Sequence, residues 1–304
     1  MLHSRMLRYL DEVARCRSIR KASERLNVAS SAVNRQIIAL EQEIGEPIFE
    51  RMPQTLRLTA TGEILIEHVR ATLKEYARVN DRLTALKGVQ RGRVAISTTL
   101  GLAGGPFAKI VADFTQRYPG VEVQVRALFA DAIPNSVMNG EMDLGLGFNF
   151  KPHKSLRTLM TFDVPLGAVV APDHPLASRS NVRFSDIHQH PLVLAEPGMS
   201  LRSLVDAGFN RVSITPRAAT ETNSVEMMKQ MLKHSPGAVT FLNPLDISEE
   251  RARGELVFVS LADQTLKGQP MTMIARAKGA LDPIGNRFVE HLRTQLSGLV
   301  DDAA

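Results

Sequence analysis

The sequence predicts an α/β protein: a small helical head, one long helix, and a larger segment in which strands and helices alternate. Three observations carry this expectation. Apolar residues in the first forty-five positions recur at helical spacing in three short runs. From Thr59 to Lys87 the chain holds no proline and no glycine except Gly62, and its apolar residues keep a four-three repeat. Beyond the charged stretch VQRGR at 89–93, strand-like runs rich in Val, Ile and Leu alternate with helical runs.

A chain of 304 residues suggests two or three domains. Its 44% hydrophobic and 23% charged residues fit an ordinary soluble protein, with no biased or repeated tract. No stretch approaches the roughly 18 apolar residues of a membrane span, and the start MLHSRMLRYLDEVARCR alternates charged with apolar residues, so no membrane partner and a cytoplasmic location are expected. The single cysteine, Cys16, excludes intrachain disulfides and thiolate-rich metal sites, and is expected to pack as a small apolar residue. Residues 1–90 hold 15 Lys and Arg against 11 Asp and Glu, whereas residues 91–304 hold 22 against 21, so the positive excess sits at the front. That asymmetry suggests a polyanionic partner there; a basic solvated surface is the plainer alternative.

Met6, Leu10 and Val13 mark a first amphipathic helix, and Ile19, Ala22 and Leu26 a second that begins near Ser18. Ala22 is small enough to let another helix cross closely. After LNVAS a third helix starts, with Ser30 or Ser31 as its cap and Val33, Ile37, Leu40 and Ile44 turned inward. Asn34, Arg35 and Ile38 then face outward together with Ser30 and Ser31. Two short helices joined by a tight turn, the second with a polar outer face, form a helix-turn-helix able to enter a DNA major groove. Asn pairs bidentately with adenine and Arg with guanine; an ordinary solvated helix is the competing reading. The run PIFERMPQTLRLTATG then reads as a hairpin, with Phe49, Leu56 and Leu58 inward, Arg51 and Arg57 outward, and Pro53 and Gln54 at the turn. Such a basic wing would contact phosphates or the minor groove.

The segment SIRKASERLNVASSAVNRQIIALEQEIGEPIFER followed by LRLTATG resembles the N-terminal domain of LysR-type transcriptional regulators. The resemblance implies a DNA-reading segment over Ser18 to Ile37, with Ser30, Ser31, Asn34 and Arg35 on the recognition helix and Arg51 and Arg57 on the wing. The Ser-Gln-Pro common at the start of that helix in the family is here Ala29, Ser30 and Ser31, so no glutamine contact is carried over.

The long run from Thr59 carries Leu65, Val69, Thr72, Tyr76, Val79, Leu83 and Leu86 on one seam, the pattern of paired helices. About 30 residues make a rod of roughly 45 Å. The alternative is that the seam packs on its own chain. In the family this helix pairs antiparallel, implying a homodimer or homotetramer through Leu65, Val69, Tyr76, Val79, Leu83 and Leu86.

From RVAIS onward the order strand, helix, strand, helix, strand indicates an α/β domain with a largely parallel sheet, continuing through VPLGAVVAP, PLVLAEP, VSITPRAAT, GAVTFL, ELVFVSL and GQPMTMIARA to a closing helix. The landmarks YPGVEV, GEMDLGLGF and APDHPLA resemble the effector domain of the same family. They imply a periplasmic-binding-protein-like (type 2) fold, with two α/β subdomains joined by crossovers near Thr161–Pro165 and Leu266–Pro270. The expected domains are a winged helix-turn-helix at 1–58, a linker and dimerisation helix at 59–90, and an effector domain at 91–304. Within the last, subdomain I takes 91–163 and 269–304, and subdomain II takes 164–268.

Ser97, Thr98 and Thr99 close a strand and open a helix, presenting hydroxyls and unpaired amides suited to an anion. With the family positions, the expected effector site comprises Thr98, Thr99, Phe129, Phe148, Ser200, Arg202 and Asn223; taken singly, each hydroxyl is as readily a cap or turn residue. Gly101, Gly104 and Gly105 loosen the first helix start. The implied partners are double-stranded DNA, a small organic and often anionic effector, and RNA polymerase. No HExxH, GxSxG, P-loop or dinucleotide motif occurs, the eight histidines are read as surface or loop residues, and no enzyme, cofactor or metal is expected. Two rivals are a transporter's solute-binding protein and an architectural DNA-binding protein that ignores ligands.

Overall fold

The computed structural model describes residues 5–53, 55–85, 92–262 and 268–301. They fall into two compact units, Met1–Gln90 with Asn139–Glu141, and Arg91–Met138 with Met142–Ala304. In the first unit, α1 (Arg5–Cys16), α2 (Ile19–Leu26) and α3 (Ser30–Ile44) precede the antiparallel ribbon of β1 (Phe49–Met52) and β2 (Thr55–Leu58), and then α4 (Ala60–Ala85). The Ser18 hydroxyl caps α2 by accepting the Lys21 amide, and Asn27 ends it in the left-handed region at φ 53°, which a short polar side chain tolerates. The cap of α3 differs from the expectation: Ala29 takes that position without a side-chain bond, and Ser30 and Ser31 lie inside the first turn.

Leu10, Val13, Ala22, Val33, Ile37, Ile48, Ile66 and Val69 form the core of this unit, with Ala22 fully buried where a small side chain was required. Ile44, expected inward, is exposed, because Leu40 is the last α3 residue against the core before Gly45 ends the helix. Ile66 and Val69 belong to α4, so its first turns complete the head instead of forming a separate linker. Val69 is fully buried, which takes it out of any seam offered to a partner, and Leu65 packs partly buried beside it. The α4 start is fixed by Thr59, whose hydroxyl donates to the Pro47 carbonyl at 2.6 Å and accepts the Gly62 amide at 3.0 Å. Gly62 is obligatory: a Cβ there would sit 2.1 Å from the Ile48 carbonyl oxygen. Leu86 and the side chain of Leu83 lie outside the described residues.

The second unit runs β3 (Gly92–Thr99), α5 (Leu100–Gly104), α6 (Pro106–Arg117), β4 (Val121–Leu128), α7 (Ala132–Met138), β5 (Leu144–Phe148) and β6 (Leu156–Val164). It continues through β7 (Gly167–Val170), β8 (Asn181–Val182), α8 (Phe184–Ile187), β9 (Leu192–Ala195), α9 (Ser200–Arg211), β10 (Ala218–Thr222), α10 (Val225–His234), β11 (Thr240–Leu242), α11 (Ser248–Ala252) and β12 (Val257–Leu261). It returns by β13 (Gln269–Arg276) and ends in α12 (Pro283–Asp301). One lobe holds a five-stranded sheet in the order β4-β3-β5-β13-β6; the other holds a four-stranded sheet, β11-β7-β12-β8, beside the parallel pair β9 and β10. Each lobe has its own main core, one around Phe107, Phe114 and Phe288, the other around Phe184, Phe209 and Phe241.

The sheets are mixed, not largely parallel. β3 runs parallel to β4 and β5, but β13 is antiparallel to both β5 and β6. The reason is topological: β6 carries the chain out of the first lobe and β13 carries it back. Residues 165–166 form the first crossover, whereas 263–267 of the second lie outside the described residues. β6 escapes a sequence reading because, at the sheet edge, only Met160 and Val164 of LRTLMTFDV are fully buried. The run VSITPRAAT yields a strand only from Ala218, after Pro216, which has no amide to give a sheet. His174 lies in a loop, as expected, but is buried there, its Nδ1 accepting the Leu176 amide and its Nε2 facing the Gly237 carbonyl.

Candidate functional site

Two sites emerge, one in each unit. On the head, α3 is held to the core by Val33 and Ile37 and turns Ser31, Arg35, Gln36 and Ile38 to solvent, with Asn34 half-buried beside them. Arg35 makes no ion pair among the described residues, whereas Arg20 and Arg25 on the preceding helix are paired with Glu24 and Glu12 at 3.1 Å each. Ser30 is partly committed elsewhere: Ser23 donates to the Arg20 carbonyl, so across 2.6 Å it is Ser30 that donates to Ser23. Its proton therefore braces α3 against α2. Gln36 was not singled out by sequence reasoning, although its position next to Arg35 on the outer side was available.

The wing is tied to this helix by Glu41, whose Oε1 accepts the amides of Ile48 at 2.8 Å and Phe49 at 3.2 Å. Its other end is tied to α1, since the Leu56 amide donates to the Arg17 carbonyl at 2.9 Å. Arg57 is exposed and lies opposite Glu50 in the ribbon. Arg51 pairs in register with Leu56. The Arg51 side chain itself is outside the described residues. Cys16 donates its thiol proton to Glu12 at 3.2 Å, and burial together with that carboxylate pushes its pKa up, away from thiolate chemistry.

In the second unit a solvent-open cleft of about 460 Å³ lies between the lobes. The end of β3 and α5 supply Thr99, Leu100 and Gly101; Phe129 and Phe148 add aromatic wall; the other lobe adds Met199, Ser200, Val225, Asn243 and Asp246; and β13 contributes Gln269. Thr99, Phe129, Phe148 and Ser200 are thus brought together as expected from the sequence. Three expected residues are not. Thr98 is fully buried inside its lobe, its hydroxyl without a hydrogen-bond partner among the described residues. Arg202 spends its guanidinium on Asp206 at 2.9 Å, Glu221 at 2.8 Å and the Ala195 carbonyl at 2.6 Å. Asn223 is exposed away from the cleft walls. Ser97 is a core residue bonded to Ser136 at 2.9 Å.

Sequence reasoning missed Asn243, Asp246 and Gln269. Asn243 donates to Asp246 Oδ2 at 2.5 Å and accepts the Asp246 amide at 3.0 Å. Burial raises the pKa of Asp246 to about 7, with Asn243 and the charge of Lys229 pulling the other way. The signal available was NPLD directly after the apolar run GAVTFL, a polar turn at a strand's carboxyl end, where open α/β sheets bind ligands. No Lys, Arg or His lines the cleft among the described residues, and α5, only five residues long, makes a poor anion site. Among the described residues no group of His, Cys, Asp and Glu is placed to hold a metal ion, and no helix is long and apolar enough to cross a membrane.

A helix-turn-helix head followed in one chain by a two-lobed α/β unit with an open cleft defines a DNA-binding transcriptional regulator that carries an effector-binding domain. Residues 4–63 match the bacterial regulatory helix-turn-helix protein, lysR family, and residues 87–297 match the LysR substrate binding domain. The chain belongs to the LysR family of transcriptional regulators, and is a regulator, not an enzyme. The HTH-type transcriptional regulator CbbR of Rhodospirillum rubrum is 27% identical over 291 residues, 96% of either chain. Full-length OxyR from Pseudomonas aeruginosa, solved as a point variant, superposes with a TM-score of 0.75 at 19% identity, covering 95% of this chain and 93% of that one. CbnR complexed with its target DNA superposes at 0.61 and 21% identity, covering 95% and 98%.

Proposed function

We propose that the chain reads a partly palindromic, AT-rich operator in double-stranded DNA through α3, as a homodimer or homotetramer, and that a small organic effector in the cleft modulates this binding. The observation that carries the reading is the outer stripe of α3, where Ser31, Asn34 and an Arg35 with no ion pair among the described residues stand on a helix braced from behind by Val33 and Ile37. Arg57 on the wing supplies a phosphate contact. The distal part of α4, with Tyr76 and Val79, is the pairing surface, the same sequence repeat running on to Leu83 and Leu86, and RNA polymerase is the partner acted upon at the promoter in the cytoplasm. The DNA-bound state of the similar CbnR supports the first part of this reading.

Mapping the DNA bound across the genome supplies the operator, and anisotropy on that operator and on random DNA then tests the assignment. Arg35→Ala should lose about 1–3 kcal/mol on the operator and much less on random DNA. Arg57→Ala should weaken both alike and flatten the salt dependence. Equal losses on both DNAs for Arg35→Ala remove it from base reading.

A further inference from the structure

We propose that Asp246 sets the chemical class of the effector: the cleft selects a small organic molecule that presents an amino or hydroxyl donor to the free carboxylate oxygen, and rejects ligands presenting only carboxylates or phosphates there. The proposal rests on reading the cleft as the effector site. Its basis is the way Asp246 is held. The residue is only 6% exposed, yet it lines the cleft. The Asn243 side-chain amide donates to Asp246 Oδ2, and the Asp246 backbone amide donates back to the Asn243 side-chain oxygen, which fixes the turn that carries the carboxylate. Oδ1 has no hydrogen bond among the described residues. Gly101 keeps that oxygen uncovered, since a Cβ there would lie 2.9 Å from it and 3.0 Å from Val225 Cγ2.

The neighbouring cation does not neutralise this carboxyl. Lys229 is already bonded to Glu226 at 2.8 Å and Glu250 at 2.9 Å. Among the described residues, an acceptor-only anion entering the cleft therefore meets a carboxyl and no cationic wall. A donor on the ligand meets a fixed acceptor in a partly desolvated site, where leaving a polar group unpaired is costly. The hydroxyls of Thr99 and Ser200 line the same cleft for the ligand's other polar atoms, while the Gln269 amide oxygen already accepts from Asn149 at 3.4 Å.

The test uses the full chain and a library of small metabolites in four classes: acceptor-only anions such as succinate, amino acids such as L-aspartate, amines such as 1,4-diaminobutane, and polyols such as glycerol. Binding is measured by calorimetry at pH 8 on the wild type, on the isosteric Asp246→Asn variant, and on Phe129→Ala, which trims an exposed cleft wall. The expected result is that ligands sensitive to Phe129→Ala carry an amine or hydroxyl and lose about tenfold or more in affinity in Asp246→Asn. Ligands that respond to Phe129→Ala but are acceptor-only, or are indifferent to Asp246→Asn, overturn the role of Asp246 while leaving the cleft as the effector site. Absence of any ligand for the wild type, or binding indifferent to both substitutions, overturns both.

Discussion

Asp246→Asn should stabilise the protein in a pH-dependent way, because a buried carboxyl whose ionisation is opposed by its surroundings costs stability once it is charged. Burial raises its pKa from 3.8 to about 7. At about 1.36 kcal/mol per unit, the shift of roughly three units sets a ceiling of about 4 kcal/mol. Below about pH 4 the folded and unfolded chains are both protonated and the cost vanishes. Between about 4 and 7 the unfolded chain has released the proton while the folded one holds it, so stability falls as pH rises, and above 7 the full cost is present. The facing groups are Asn243 on its own turn, Gly101 of α5 and Val225 of α10, all uncharged, and Lys229 of α10 with its partners Glu226 and Glu250. The amide oxygen of the variant still accepts from Asn243, so that bond survives. Thermal melts without ligand should show the variant level with the wild type near pH 4 and ahead by several degrees at pH 8, at about 2–4 °C per kcal/mol for a domain of this size. A difference independent of pH, or a variant less stable at pH 8, would mean that Lys229 stabilises the charged carboxylate, and would refute the reasoning.

Other substitutions probe the elements that hold each unit together. Gly62→Ala drives a methyl into the Ile48 carbonyl and should cost about 1–3 kcal/mol, read as a lower melting temperature and weaker operator binding. Glu250→Gln leaves the buried Lys229 with only the exposed Glu226 and should cost up to about 3–5 kcal/mol in denaturant titration, recovered in part by adding Lys229→Met. Val79→Asp places a charge on an exposed apolar position of α4, so sedimentation should show dissociation with operator affinity reduced; an unchanged oligomer would shift the pairing surface elsewhere.

The head was legible because its signals are local. Ser18, Ala22, Val33 and Ile37 lie within twenty residues of one another, and period, cap and turn chemistry agree there. The cleft was half legible. Thr99 and Ser200 follow from strand and helix boundaries, yet Thr98 and Arg202 were equally plausible by composition. What separates them is three-dimensional. Arg202 is satisfied by Glu221, nineteen residues away, and Asp246 reaches the cleft beside Gly101 of α5 and Val225 of α10, elements far from it in sequence.

The apolar repeat of α4 is the most instructive case, since one pattern serves two purposes. A four-three repeat is what a helix needs to pair with another helix, and also what it needs to lie on a globular core. The two uses part along its length. Ile66 and Val69, with Leu65 and Leu73 beside them, are covered by the helices of the head. Ile64, on the opposite side, is 72% exposed, and Val79 further along is 41% exposed. The buried ion pair between Arg70 of α4 and Asp11 of α1, at 2.9 Å, adds a polar tie to the apolar one. Together with the Thr59 cap and the Gly62 contact, these bonds make the first turns of α4 a fixed part of the DNA-reading head. A rotation imposed on the distal half of the helix therefore turns the outer stripe of α3 with it, so long as the helix itself does not bend.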